Sequence, residues 1–247
     1  MSLEIAVVAG FDGSGGAGLT ADGETARSLG ATPRYVVTAL TAQSDEEGFF
    51  VEATSEAMFR AQWAAAFADS KPQAIKVGML PNLAIARALV SALEECPEIP
   101  VVYDPVLVAS SGLALMEEDA IDWVRDHLLS KVCLVTPNLA EAQRFTGLPC
   151  RERDDFVLAG ERFLSLGAPT VLVKGGHLSG AAAPDCLLMP GEDPVWLELP
   201  RVEGVFRGTG CRLSSAIATR LAAGDDSTEA VRAAKQYLTE LLQRQTR

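Results

Sequence analysis

Six short runs rich in β-branched and apolar residues punctuate the chain: Ile5-Ala6-Val7-Val8, Tyr35-Val36-Val37, Ala74-Ile75-Lys76-Val77, Val101-Val102-Tyr103, Leu134-Val135 and Val171-Leu172-Val173. Between them lie segments of helical period, Ser55 to Ser70, Asn82 to Glu95, Glu117 to Leu129 and Asp154 to Leu166. Strands this short and this apolar must be covered on both faces, and strand-helix alternation places the covering helices. The pattern therefore predicts a mostly parallel sheet between two helical layers, with ligands bound beyond the carboxyl ends of the strands. From Ala183 to Pro200 the rhythm changes to Asp185-Cys186-Leu187-Leu188-Met189-Pro190 and Val195-Trp196-Leu197-Glu198-Leu199, which reads as an antiparallel hairpin at the sheet edge. The last helix begins near Ser227, where Asp226 and Glu229 form a capping pair. Its stripe of Ala230, Val231, Ala234, Tyr237, Leu238, Leu241 and Leu242 reads as core rather than a binding surface.

With 247 residues and no linker, repeat or low-complexity tract, the chain reads as one domain, residues 1–247. A net charge of −12 repels nucleic acid and anionic membrane surfaces, so neither is an expected partner. Five scattered cysteines (Cys96, Cys133, Cys150, Cys186, Cys211), none in a Cys-x-x-Cys pair, argue against a disulfide framework or a zinc site and fit a reducing cytoplasm. No apolar run approaches the roughly 20 residues that span a bilayer, and the N-terminus lacks the basic and long apolar regions of an export signal.

Four constellations carry chemistry. After the first strand, Gly10-Phe11-Asp12-Gly13-Ser14-Gly15-Gly16-Ala17-Gly18 formally contains a G-x-G-x-x-G pattern. The acidic residue that a nicotinamide site needs about 20 positions on is missing, because the second strand ends in Thr38-Ala39-Leu40-Thr41-Ala42-Gln43. Close backbone approach to a small ligand is the better reading, with Asp22 one turn beyond Gly18 facing it or simply solvated. At the sixth strand end, Val173-Lys174-Gly175-Gly176-His177 suits a polyphosphate, although no Walker-type Gly-Lys-Ser/Thr occurs. His177 reads as a turn hydrogen-bonder, outside the catalytic set. Thr136-Pro137-Asn138-Leu139-Ala140-Glu141 has capping-box spacing, and the same Asn138 and Glu141, with Asp104 at the fourth strand end, sit where Mg2+ and its waters would need oxygen donors. Finally, Arg207-Gly208-Thr209-Gly210-Cys211-Arg212 opens a helix. Unpaired N–H groups of Gly208, Thr209, Gly210 and Cys211 make an anion pocket. The Cys211 thiol, with an ordinary pKa of roughly 8.5, is expected to be lowered there by the helix end and by Arg207 and Arg212, and to serve as a proton acceptor.

In order along nearly the whole chain, these segments resemble the hydroxymethylpyrimidine/phosphomethylpyrimidine kinases of thiamine biosynthesis, within the ribokinase-like vitamin kinases. The matching segments are Ser14-Gly15-Gly16-Ala17-Gly18 with Ala21-Asp22, Thr38 to Gln43, Lys76-Val77-Gly78-Met79-Leu80, Asp104-Pro105-Val106, Thr136-Pro137-Asn138-Leu139, Lys174-Gly175-Gly176-His177, and Gly208-Thr209-Gly210-Cys211 with Leu213-Ser214-Ser215-Ala216. The resemblance implies a ribokinase-like three-layer α/β sandwich and phosphate transfer from Mg-ATP to 4-amino-5-hydroxymethyl-2-methylpyrimidine and then to its monophosphate. It implies that Gln43 bonds the pyrimidine edge and that Ala17, Asp22, Met79 and Val106 line its pocket. It also implies that Lys174 meets ATP phosphates, that Asp104 and Glu141 serve the metal, that Cys211 is the base, and that the enzyme is a homodimer. Pyridoxal or pyridoxine kinase, and a pyrimidine binder without turnover, are the alternatives. The chain departs from the family at Arg207 and Arg212, where His and Thr are usual, and at Phe11, Gly13, Gly23-Glu24 and Ser110. Its acidic character suggests that at least one of the two arginines contacts a phosphate.

Overall fold

Among the described residues nine strands belong to one sheet, ordered β3-β2-β1-β4-β5-β6-β7-β8-β9. In this computed structural model the strands are β1 (Leu3–Asp12), β2 (Ala31–Gln43), β3 (Gly48–Ala53), β4 (Ala74–Val77), β5 (Val101–Tyr103), β6 (Leu134–Val135), β7 (Val171–Lys174), β8 (Ala182–Leu188) and β9 (Val195–Pro200). The helices are α1 (Gly18–Ser28), α2 (Glu56–Ala66), α3 (Leu83–Leu93), α4 (Glu118–His127), α5 (Leu139–Thr146), α6 (Arg153–Ser165), α7 (Thr209–Ala222) and α8 (Ser227–Gln245). The structure describes every residue except Met1, Asp45, Glu46, Ser110, His177, Ser179 and Arg247. The readings made above for His177 and Ser110 lie outside the described residues.

Strand periodicity divides the core. Ala6, Val8, Ile75, Val77, Val101, Tyr103, Val135, Val171 and Val173 pack with Phe59, Leu89, Val124, Phe145 and Phe163 of α2 to α6. Their sequence neighbours Ile5, Val7, Val102, Leu134 and Leu172 face the other way, onto Leu19, Leu213, Ile217 and Val231 of α1, α7 and α8. The reversal is set by topology: the crossover from β1 runs one way to β2, while β4 to β7 extend the other way, and right-handed connections then put α1 opposite α2 to α6. A strand-order switch therefore falls between β1 and β4, which pair in parallel, and a crevice opens at their carboxyl ends.

The edge hairpin appears as the sequence predicts, with β8 antiparallel to both β7 and β9. The opposite edge was not predicted: β3 pairs antiparallel with β2 and turns Leu40 and Phe50 outward. Its Phe-Phe-Val-Glu-Ala run carries no clean alternation of burial, because both of its phenylalanines are exposed. The Asp226 cap forms as read, its side chain accepting from Glu229 N. Among the described residues no helix is long and apolar enough to cross a membrane.

Candidate active site

The carboxyl ends of the strands open into a cleft of about 830 Å³. At the β1–β2–β4 end it is lined by Ala17, Gly18, Gln43, Met79 and Val106, and at the β7–β9 end by Glu141, Lys174, Arg201 and Leu238. Asp104, at the end of the intervening β5, and the Gly208–Cys211 segment belong to the same wall. One expectation is corrected here. Leu238 and Leu242 of the α8 stripe line this cleft, while Ala230, Val231 and Ala234 are buried core with Tyr237 and Leu238 packed against it. A helical period marks the face turned inward and cannot say whether protein or a cavity lies opposite.

The glycine-rich segment is tied down. Asp12 Oδ1 accepts from Ser14 N at 3.0 Å and Ser14 Oγ at 2.8 Å, and Oδ2 accepts from Ala17 N at 3.0 Å. Arg207 closes the set, donating to Asp12 Oδ2 at 3.1 Å and Ser14 Oγ at 2.6 Å. Two glycines are required for backbone conformation and space together. Gly18 has φ +56, and a Cβ on it would stand 2.3 Å from Gly10 O; Gly208 has φ +65, and a Cβ on it would stand 2.3 Å from Gly16 O. The first loop and the start of α7 therefore lie backbone against backbone, so that Ala17 and Cys211 share one wall.

Gly208 caps α7 and Cys211 lies in its first turn, as the sequence predicts. The thiol itself behaves otherwise. Burial pushes Cys211 up to about 11, against the pull of Lys76 and of the Gly18 backbone N–H, and Asp22 and Asp104 push the same way as burial. The two arginines do not provide the expected relief. Arg207 is engaged with Asp12 and Ser14, and Arg212 pairs with Glu24 at 2.9 Å and is not part of the cleft wall. Spacing along the chain placed these cations near the thiol, but each guanidinium points to a nearer carboxylate.

Asp104 is almost wholly buried, accepting on Oδ1 from Lys174 Nζ at 2.7 Å and Thr136 Oγ1 at 3.0 Å, and on Oδ2 from Ser214 Oγ at 3.4 Å. Burial alone would raise its carboxyl, yet the ammonium groups of Lys174 and Lys76 outweigh it and hold the group below its ordinary value. Glu141 and Asn138 do form the capping box: Glu141 N donates to Asn138 Oδ1 at 3.0 Å, and Asn138 N donates to Glu141 Oε2 at 2.7 Å. Both residues also line the cleft. Burial raises Glu141 to about 7, the charge of Lys174 only partly opposing it. Among the described residues no group of three or more acidic, cysteine or histidine side chains is arranged to hold a metal. The Asp104 and Glu141 carboxylates are hard donors in the cleft wall, which Asp12 and Asp185 also line.

Of the residues expected to line a pyrimidine pocket, Ala17, Gln43, Met79 and Val106 line the cleft and Asp22 does not. Asp22 is fully buried behind the wall, bonded to Lys76 Nζ at 2.7 Å and Ser215 Oγ at 2.8 Å. Gln43 Nε2 donates to Thr41 Oγ1 at 3.1 Å, and Oε1 is buried with no partner. Three residues of the cleft wall were missed. Lys76 stands in the cleft wall, and its signal was a lysine inside an otherwise apolar strand. Lys235 of α8 donates to Ala183 O at 2.7 Å and pairs with Asp185, whose Oδ1 receives Gly175 N at 2.9 Å. Arg201 donates to the carbonyls of Gly176, Leu178, Gly180 and Ala182. Nothing in the local sequence marks these last two, because their partners are distant or are backbone atoms.

A family model described as phosphomethylpyrimidine kinase matches residues 12–247. The chain is 42% identical over 233 residues to a hydroxymethylpyrimidine/phosphomethylpyrimidine kinase of Rhizobium meliloti, covering 94% of this chain and 87% of that protein. Among solved structures, a phosphomethylpyrimidine kinase from Clostridium difficile is similar with a TM-score of 0.84 at 35% identity, over 97% of this chain and 99% of that one. A pyridoxal kinase of Bacillus subtilis, solved as an ADP complex, is similar with a TM-score of 0.88 at 30% identity, over 97% and 91%.

Proposed function

The chain belongs to the phosphomethylpyrimidine kinase family, and on that premise we propose that it phosphorylates the hydroxymethyl group of 4-amino-5-hydroxymethyl-2-methylpyrimidine from ATP and then the resulting monophosphate. The observation that carries the substrate is Gln43. Its Nε2 is committed to Thr41, which leaves a buried Oε1 acceptor without a partner at the cleft. An unfilled buried acceptor costs free energy that an exocyclic amino group of the ligand would recover, and a ligand without such a donor would not. Met79, Val106 and Ala17 give the ring an apolar seat.

In the fraction of enzyme whose Cys211 is ionised against the push of burial, the hydroxyl proton passes to that thiolate while the substrate oxygen bonds to the γ-phosphorus and the bridging oxygen leaves with ADP. N–H groups at the start of α7 receive the phosphoryl oxygens, and Lys174 neutralises them. Asp104 and Glu141 fit Mg2+ as the hard donors facing one cleft. Glu141 gives one oxygen to Asn138 N and is held near neutrality by burial, a cost that an adjacent cation offsets. Bound there, Mg2+ would neutralise phosphate charge. Arg207, in the wall beside the α7 anion pocket, is assigned to a substrate phosphate; Arg212 is not. For the homodimer, the supporting feature is the outward face of β2 and β3, where Leu40 is 52% and Phe50 60% exposed.

A second reading, pyridoxal kinase, is favoured by the TM-score of 0.88 to the Bacillus subtilis enzyme. Turnover with ATP and magnesium against the pyrimidine alcohol, its monophosphate and pyridoxal separates the two. The proposal expects the first two to be phosphorylated with kcat/KM at least about tenfold above pyridoxal; preference for pyridoxal, or no turnover of any of the three, would refute it.

A further inference from the structure

Two buried ammonium–carboxylate pairs lie under the first turns of α7, each joined to it by a serine. Lys174 bonds Asp104, which accepts from Ser214 Oγ at 3.4 Å. Lys76 bonds Asp22 at 2.7 Å, and Asp22 accepts from Ser215 Oγ at 2.8 Å. The functional reading above uses the first pair and leaves the second without a role.

That second pair is costly to build. Lys76, Asp22 and Ser215 are all 0% exposed. In the sheet register Lys76 stands between Val7 of β1 and Val102 of β5, where an apolar side chain would pack on the same core. Room is kept for it as well: a Cβ on Gly78 would come within 2.8 Å of Lys76 Nζ. Buried ion pairs of this kind are commonly replaceable by apolar residues with no loss of stability. Folding alone therefore gives little reason for a charge here, and its surroundings supply one. Ser215 is one helical turn beyond Cys211, so the pair is anchored one turn from the thiol. Lys76 and Cys211 also belong to the same cleft wall.

We propose that Lys76 is a positioning residue for the chemical step: held by Asp22 and Ser215, it fixes a positive charge beside Cys211 and so governs how readily the thiolate forms to take the substrate proton. The inference rests on Cys211 being the proton acceptor. The charged groups facing that thiol are Lys76 from β4, Asp22 from α1, Asp104 after β5 and Lys174 from β7. Of these, Lys76 exerts the strongest pull toward ionisation and the two carboxylates oppose it. The backbone N–H of Gly18 adds a smaller pull. Asp22, whose place behind the wall removes it from the pyrimidine pocket, takes the part of anchor for the cation.

The test compares wild type with Lys76→Arg, with Ser215→Ala, and with Lys76→Met/Asp22→Asn, which removes both charges together so that neither is left buried alone. Steady-state kcat and both KM values are measured, along with the rate at which iodoacetamide alkylates Cys211, read by peptide mass, at pH 8 to 10. The charge-free variant is expected to lose kcat at least about tenfold, with both KM values within about twofold and alkylation of Cys211 slowed in parallel. Ser215→Ala is expected to lose about threefold to tenfold in kcat, and Lys76→Arg to retain more activity than the charge-free variant. Unchanged kcat and alkylation in a charge-free or Ser215→Ala protein that melts cooperatively would overturn the proposal, as would a loss confined to KM. A Cys211→Ala enzyme that keeps full turnover would instead overturn the reading of Cys211 as acceptor, an outcome distinct from the others.

Discussion

Replacing Gly208 by alanine tests whether the first loop and the start of α7 form one catalytic surface. At φ +65, the left-handed conformation costs an alanine about 1 kcal/mol. The larger effect is steric, because the added Cβ would stand 2.3 Å from Gly16 O and 3.1 Å from Ala17 Cα, both backbone atoms that no rotamer change can move. Restoring an ordinary contact requires the two segments to part by about 1 Å. A displacement of that size at a reacting centre costs about a hundredfold in rate. Together with strain worth about 2 kcal/mol, the variant should melt about 4–8 °C lower and lose about a hundredfold in kcat. The assay is ADP release with the pyrimidine alcohol, paired with a thermal melt. Gly224→Ala is the control: φ is +100 there and nothing lies within 4 Å, so it should lower the melting temperature and leave kcat unchanged. A Gly208→Ala enzyme that folds and turns over at the wild-type rate would falsify the claim that this backbone contact sets the site.

Arg212→Thr should leave the KM values for ATP and the monophosphate within about twofold of wild type, since Arg212 pairs with the exposed Glu24 and is not part of the cleft wall; Arg207→Met should raise the monophosphate KM by about tenfold or more, and an unchanged value would remove Arg207 from the phosphate site. Gln43→Leu should raise the KM for the pyrimidine by about tenfold and leave that for ATP unchanged; equal effects on both would show that Gln43 acts through folding. Burial raises Cys133, Cys150 and Cys186 to about 11 from 9.0, so the folded chain keeps protons that the unfolded chain gives up between those values. Stability should accordingly fall as pH rises from about 9 to 11, and Cys133→Ala should lessen the fall in melting temperature across that window; a melting temperature that rises there would contradict the assigned burial.

Local signals marked most of the elements that build the cleft. Apolar runs gave β1, β4, β5, β6 and β7, the Asn138–Glu141 spacing gave a real capping box, and Gly208 before Cys211 gave the start of α7. Each of these depends on atoms within a few residues, where side-chain type fixes the conformation. Readings that required a direction in space fared differently. Asp22 was one turn past the glycine loop on any reading, but only packing of α1 against α7 and β4 turned it inward to Ser215 and Lys76.

The sequence by itself determined the layered α/β architecture, the strand ends at which chemistry collects, and the residue types available there: a thiol, two carboxylates, lysine and glycine-rich turns. Tertiary structure alone decided which charges meet. Arg207 and Arg212, close to the thiol in sequence, are drawn to Asp12 and Glu24, while Lys76, 135 positions away from Cys211, is the charge that pulls most strongly on it. The physical reason is that periodicity and propensity are short-range properties of the chain. Electrostatic energy depends on distance and burial, which are set only when distant strands and helices pack.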